Sequence, residues 1–191
     1  GATPIQNIGA YGREIKDIFD SLEAIRLDTG EKLRFSAGDC AFGYRESVFK
    51  NKEKGKWVIT SVRYRLSKKP MLNIGYGAIS QELEKMKIAE VNAKAVAQAV
   101  INIRRSKLPD PAMFGNAGSF FKNPEVDADK LAALKNQFPE IVSYALPNGR
   151  AKLAAGWMIE KCGWKGYRNG DAGCHEAQAL VLINYGKAQG S

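Results

Sequence analysis

The chain has 191 residues, enough for one large domain or two small ones with a buried core. Hydrophobic residues make up 45% and charged residues 26%, and no apolar run approaches the roughly 20 residues that a membrane span needs. That excludes a helical membrane protein, and without a secretory signal a cytoplasmic location with no membrane partner is expected. Lys and Arg outnumber Asp and Glu by 29 to 20, a formal charge of +9, which favours an anionic partner such as nucleic acid, a phosphorylated metabolite or an acidic surface. The basic residues, among them Arg63, Arg65, Arg104, Arg105 and Lys107, are scattered, with no RNA-binding aromatic signature and no zinc-finger spacing. The three cysteines, Cys40, Cys162 and Cys174, lack CxxC spacing and read as buried free thiols of a reducing compartment. His175 is the only histidine, so no metal is expected.

In chain order, Thr3 to Gly12 (TPIQNIGAYG) is rich in glycine and amides and reads as a loop rather than a strand. Ser21 to Phe35 reads as a β-hairpin with Asp28-Thr29-Gly30 at the turn. Trp57 to Leu66 (WVITSVRYRL) is a further strand, with a period of two over its second half. After Lys68-Lys69-Pro70 the character changes. Glu90 to Ser106 carries Val91, Ala95, Val96, Ala99, Val100 and Ile103 at helical spacing, and the prolines of Leu108-Pro109-Asp110-Pro111 end it. Asp127 to Phe138 is a second helix with Asp127 as N-cap. Lys152 to Cys162 is a third, with Gly163 as its C-terminal glycine. Gln178 to Asn184 (QALVLIN) is a buried strand. The expected fold class is α+β, mostly antiparallel β through residue 67 and α+β over 68–191. Opening in a loop-like motif and stopping just after a strand, the chain is expected to be a piece of something longer.

Four segments could carry chemistry. Gly115 to Pro124 (GNAGSFFKNP) has small residues that let a ligand approach the backbone, with Ser119, Lys122 and Asn123 close by. It reads equally as a tight turn feeding a strand, with Phe120 and Phe121 in the core. In Phe42 to Phe49 (FGYRESVF), Arg45 sits between aromatics on a short strand and suits a carboxylate; an ion pair with a nearby acid is the competing reading. Tyr76 lies between Gly75 and Gly77 in an exposed or mobile loop, where it could stack on a nucleobase or simply pack. Lys107, before the proline turn, could hold a phosphate or stay solvated.

Six segments together carry a resemblance. PIQNIGAYG at Pro4 to Gly12, FGYRESVFK at Phe42 to Lys50, KLPDP at Lys107 to Pro111, GNAGSFFKNP at Gly115 to Pro124, KLAAGWMIE at Lys152 to Glu160 and HEAQALVLIN at His175 to Asn184 resemble the UDP-N-acetylenolpyruvoylglucosamine reductase family, in that family's order. The resemblance implies an NADPH-dependent, FAD-mediated reduction of UDP-N-acetylglucosamine enolpyruvate to UDP-N-acetylmuramate, a peptidoglycan precursor. Arg45 matches the family's catalytic arginine, which steadies charge developing next to the carboxylate. Ser119 matches its proton donor. Tyr76 matches the tyrosine that closes over the uridine part of the substrate, and Tyr144 one that reaches the diphosphate. Lys107 and Asn123 match diphosphate contacts, Gln178 a substrate-site amide, and Tyr11 lies beside the substrate. Gln6, Asn7 and Gly118 are expected to face the cofactor.

The Tyr76 loop suggests the longer, type I form. Residues 1–67 would be the end of the FAD-binding domain and residues 68–191 a truncated substrate-binding domain. The family's glycine- and serine-rich pyrophosphate loop and its C-terminal glutamate have no counterpart here. The chain by itself is thus expected to be a monomer that binds FAD poorly and turns over little. The alternatives are a non-catalytic UDP-sugar module and a nucleic-acid-binding module; a diphosphate substrate explains the charge better than nucleic acid does.

Overall fold

The computed structural model describes residues 2–190, and the chain divides into two units, Gly1–Ala99 and Val100–Ser191. In the first, the alternating pattern of Ser21 to Phe35 becomes strands β3 (Phe19–Arg26) and β4 (Lys32–Ser36), paired antiparallel from Ser21–Ser36 to Ile25–Lys32. Gly30, with φ of +72°, takes the left-handed position of the turn between them. Strand β5 (Trp57–Tyr64) lies on the other side of β3, giving the order β4-β3-β5. Two register irregularities in the β3–β5 pairing, at Phe19–Ser21 and Glu23–Ala24, shift the alternation, so that Phe19, Ser21, Leu22 and Ala24 are all buried. The core of this unit gathers Phe19, Leu22, Ala24, Cys40, Val48 and Phe49, with Phe35 and Trp57 packed against it.

The remaining elements of this unit are short. Helix α1 (Ala2–Ile5) precedes a two-stranded hairpin, β1 (Gly9–Ala10) with β2 (Arg13–Glu14), where a plain loop was expected. A pairing of two residues per strand is too short to leave a period in the sequence. Helix α2 (Ala37–Cys40) is fixed by a capping box in which Ser36 and Asp39 bond each other's backbone N–H groups. The Ser36 hydroxyl holds the Asp39 carboxyl below its ordinary range. Beyond β5 come helices α3 (Gly77–Lys85), which buries Ile79 and Leu83, and α4 (Ala93–Lys107), inside which the division between units falls. The expected stripe appears on α4: Ala95, Ala99 and Ile103 are buried, whereas Val91 lies before the helix and is exposed.

The second unit holds two antiparallel sheets, β7 (Glu125–Val126), β9 (Ala151–Leu153) and β8 (Ser143–Ala145) in the order β7-β9-β8, and a four-stranded one of order β10-β11-β12-β6. The latter is built from β6 (Gly115–Ser119), β10 (Arg168–Asn169), β11 (Ala172–Cys174) and β12 (Val181–Asn184). Helix α5 (Ala128–Gln137) starts as read from the sequence, the Asp127 carboxylate accepting from the Lys130 N–H at 2.8 Å. The helix expected over Lys152 to Cys162 is shorter: Ala151 and Leu153 are buried about a half-buried Lys152 in strand β9, and helix α6 spans Ala155–Lys161. Gly163, φ +77°, follows its end. Strand β12 starts three residues later than read, because the Gln178 carbonyl accepts from the Val181 N–H at 3.0 Å in a turn. Every sheet is antiparallel and the α+β class holds.

Cys40 and Cys174 are buried, but Cys162 is exposed at the end of α6, correcting the expectation of three buried thiols. Burial pushes the Cys40 thiol up to about 12, with neighbouring Asp39 adding to the shift. Iodoacetamide at about pH 8 is therefore expected to alkylate Cys162 in the native protein at least tenfold faster than Cys40. Mass spectrometry of timed digests checks this, and equal rates at the two thiols would contradict the burial of Cys40.

Candidate functional site

Each unit carries a group of the residues singled out above. In the first, Arg45 does not lie on a strand. Its segment is a turn closed by the Gly43–Glu46 bridge, and Arg45 has a φ of +55°, a left-handed conformation that few non-glycine residues adopt. A 3₁₀ turn over Val48–Lys50 follows, begun by Ser47, whose hydroxyl accepts from the Phe49 N–H and donates to the Ile5 carbonyl at 2.7 Å. The Arg45 guanidinium thereby reaches back to the β1–β2 hairpin. It donates to the Gly9 carbonyl and, at 3.4 Å, to the Asn7 carbonyl, and lies 3.7 Å from the Glu14 carboxylate. The ion-pair reading of Arg45 is thus realised with Glu14. With its side chain 28% exposed, the guanidinium still offers N–H groups to a second anion.

Asn7 underlies this arrangement. It is fully buried, with a φ of +41°; its amide donates to the Gly43 carbonyl at 2.8 Å and to Glu14 at 3.2 Å and accepts from the Lys16 N–H at 3.0 Å. Its side chain is therefore engaged with protein, whereas the neighbouring Gln6 is exposed and its side chain has no hydrogen bond among the described residues. Gly9 is required where it stands: a Cβ there would lie 2.6 Å from the Arg13 carbonyl oxygen and 3.1 Å from Arg45 Nη1. At the hairpin tip the ring of Tyr11 meets that of Tyr76 edge to face, with centroids 5.5 Å apart. Tyr76 is 51% exposed, as expected, and ends an irregular segment as the extended N-cap residue of α3.

In the second unit, Gly115 to Ser119 is strand β6, correcting the loop reading, and Phe120 and Phe121 are exposed rather than in the core. Ser119 is exposed opposite Val181, and its hydroxyl has no hydrogen bond among the described residues. The preceding Gly118 has a φ of +63° and open space where a Cβ would stand; its N–H is held by the Asn116 side chain at 3.0 Å. Both residues line a cleft of about 870 Å³ whose other walls include Arg104, Arg105 and the Leu108–Pro111 turn. In the sequence these two arginines are no more than scattered basic residues. The available signal was their place in the last turn of a helix, two and three residues before Lys107. Lys107 itself is exposed on the same turn.

Asn123 and Gln178 each reach the first turn of α6. Asn123 accepts from the Ala155 N–H at 2.9 Å, satisfying one of the helix's free donors, and Gln178 Oε1 lies 3.7 Å from the Cβ position of Gly156. Tyr144, on β8, is 54% exposed. Neither Asn123, Gln178 nor Tyr144 lines the Ser119 cleft. Among the described residues, no group of three His, Cys, Asp or Glu side chains could hold a metal ion, and no helix is long and apolar enough to cross a membrane.

Residues 110–191 match the family model of the UDP-N-acetylenolpyruvoylglucosamine reductase C-terminal domain. The whole chain is 54% identical, over 190 residues, to the UDP-N-acetylenolpyruvoylglucosamine reductase of Pseudomonas savastanoi pv. phaseolicola, covering 56% of that protein. It is likewise 54% identical over 193 residues to the protein of that name from Burkholderia pseudomallei, covering 55% of it. The chain thus spans a little more than half the length of these relatives. Its fold is similar to the crystal structure of UDP-N-acetylenolpyruvylglucosamine reductase from Thermus caldophilus, with a TM-score of 0.58 at 22% identity over 99% of this chain and 50% of that one.

Proposed function

The chain belongs to the UDP-N-acetylenolpyruvoylglucosamine reductase family, and from that premise we propose that it carries the substrate-reducing residues of a cytoplasmic, NADPH-dependent flavoenzyme that converts UDP-N-acetylglucosamine enolpyruvate to UDP-N-acetylmuramate. The observation that carries the reading is the exposed, unengaged hydroxyl of Ser119 at the end of β6, next to the left-handed Gly118, in a cleft lined by Arg104 and Arg105. In this reading residues 1–67 belong to the FAD-binding domain and residues 68–191 to the substrate-binding domain.

FAD, when bound, supplies the hydride that adds to the vinyl group. Gln6, with an unengaged side chain, fits the holding of such a group, and Gly118, where a Cβ would meet open space, lets a ligand approach closely. Asn7 contributes through the backbone it fixes, since its amide is already satisfied. The task left to the protein is to steady the negative charge that develops at the carbon bearing the carboxylate. Arg45 does this, because a guanidinium stays charged and pairs with a carboxylate through two N–H groups. Ser119 gives its hydroxyl proton to that carbon. A hydroxyl is a weak acid, but a carbanion-like centre held close is basic enough to take the proton. Tyr76 and Tyr11 cover the substrate, and Lys107, Asn123, Tyr144 and Gln178 take its diphosphate and sugar.

The complete enzyme is expected to sustain NADPH oxidation beyond the single equivalent that reduces its flavin only when the enolpyruvyl ether is supplied, one NADPH per ether reduced, and not with UDP-N-acetylglucosamine. Absorbance at the NADPH band follows the reaction. Oxidation indifferent to the enolpyruvyl group would refute the assignment.

A further inference from the structure

The substrate tyrosine Tyr76 stands at the end of a segment that burial barely holds. Met71 is 86% exposed and Tyr76 51%, so apolar packing contributes little to its position. What fixes the segment is the β1–β2 hairpin. Arg13 Nη2 donates to the Met71 carbonyl at 3.3 Å, and Asn73 Nδ2 donates to the Tyr11 carbonyl at 3.4 Å. The Tyr11 ring then meets Tyr76 edge to face.

The hairpin tip is shaped for this. Tyr11 and Gly12 both have left-handed φ, +52° and +75°, and a Cβ on Gly12 would lie 2.9 Å from the same Asn73 nitrogen. At its other end the segment is tied into α3, where the Ser80 hydroxyl donates to the Ile74 carbonyl at 2.6 Å. The hairpin root is clamped by Arg45, which donates to the Gly9 carbonyl, and by Asn7 and Glu14. The hairpin therefore spans from the carboxylate-binding arginine to the tyrosine over the substrate.

We propose that Arg13 and Asn73 are positioning residues that set Tyr76, through the hairpin tip, at the distance from Arg45 that the substrate requires. This rests on the reading of Tyr76 as a substrate residue. Neither side chain needs to touch the substrate. Both act by holding main-chain carbonyls, so only substitutions that remove the donor should matter. Arg13→Lys keeps a donor of similar reach and is expected to rescue much of what Arg13→Ala loses.

The test is a double-mutant cycle in the complete enzyme, read as KM for the enolpyruvyl ether, with digestion by chymotrypsin as a second measure. Loss of one such hydrogen bond corresponds to roughly a twofold to tenfold effect. Asn73→Ala and Arg13→Ala should each raise KM by about that factor with little change in kcat, and have no further effect in a Tyr76→Ala background. Each should also speed cleavage after Leu72 by a similar factor. A KM increase of the same size with and without the Tyr76 ring would overturn the proposal. If Tyr76→Ala itself leaves KM unchanged, the reading of Tyr76 fails instead, and the cleavage rate decides the hairpin's role alone: unchanged cleavage after Leu72 would overturn that too.

Discussion

Ser119→Ala is expected to slow reduction of the enolpyruvyl ether in the complete enzyme by roughly a hundredfold to ten-thousandfold, the range for losing a positioned proton donor. The chemical reason is that the hydroxyl is the proton source for a carbon that has just gained negative charge. The structural reason for a clean result is that the Ser119 side chain has no hydrogen bond among the described residues and is exposed at the end of β6. Its removal leaves no buried partner unsatisfied, so melting should change by no more than about 0.5 kcal/mol. Flavin reduction by NADPH, measured in a single turnover without the sugar nucleotide, should keep its rate. A loss shared equally between the two half-reactions would move Ser119 from proton donor to cofactor support. No loss in the second would remove it from the chemistry.

The features legible in the sequence are those with a repeating or local cause. The β3–β4 hairpin follows from alternation and a turn glycine, the stripe of α4 from Ala95, Ala99 and Ile103 four residues apart, and the start of α5 from one aspartate. The illegible ones depend on partners far along the chain. Nothing near Arg45 indicates a left-handed turn; that conformation goes with Asn7 and Gly9, 38 and 36 residues away in the chain. The same holds for β6, which exists because β12 pairs with it, and for β9, where Lys152 and Leu153 read as the start of the following helix. Arg104 and Arg105 became site residues only when β6 supplied the facing wall of the cleft. The resemblance marked Ser119 and Arg45 without indicating their backbone setting.

Asn7→Ala is expected to destabilise the first unit by about 3 to 5 kcal/mol, out of a total of roughly 5 to 15 for an ordinary domain. Three protein partners lose their bonds at once: the Gly43 carbonyl, the Glu14 carboxylate and the Lys16 N–H, at 2.8, 3.2 and 3.0 Å. Asn7 is fully buried and its three partners are partly buried, so each group left without its bond costs up to about 1 to 3 kcal/mol, less where water reaches it. The φ of +41° adds to this, because asparagine tolerates the left-handed region better than alanine, by up to about 1 kcal/mol. Asn7→Asp offers no escape: it supplies the acceptor for Lys16 but sets a carboxylate against the Gly43 carbonyl and the Glu14 carboxylate, both acceptors. Gln6→Ala is the control, exposed and expected to change stability by no more than about 0.5 kcal/mol. Denaturant unfolding of the three variants separates the cases. If Asn7→Ala unfolds together with Gln6→Ala, the hairpin root is not what holds Arg45. If it unfolds early, the arginine's position depends on a buried amide that never meets the ligand.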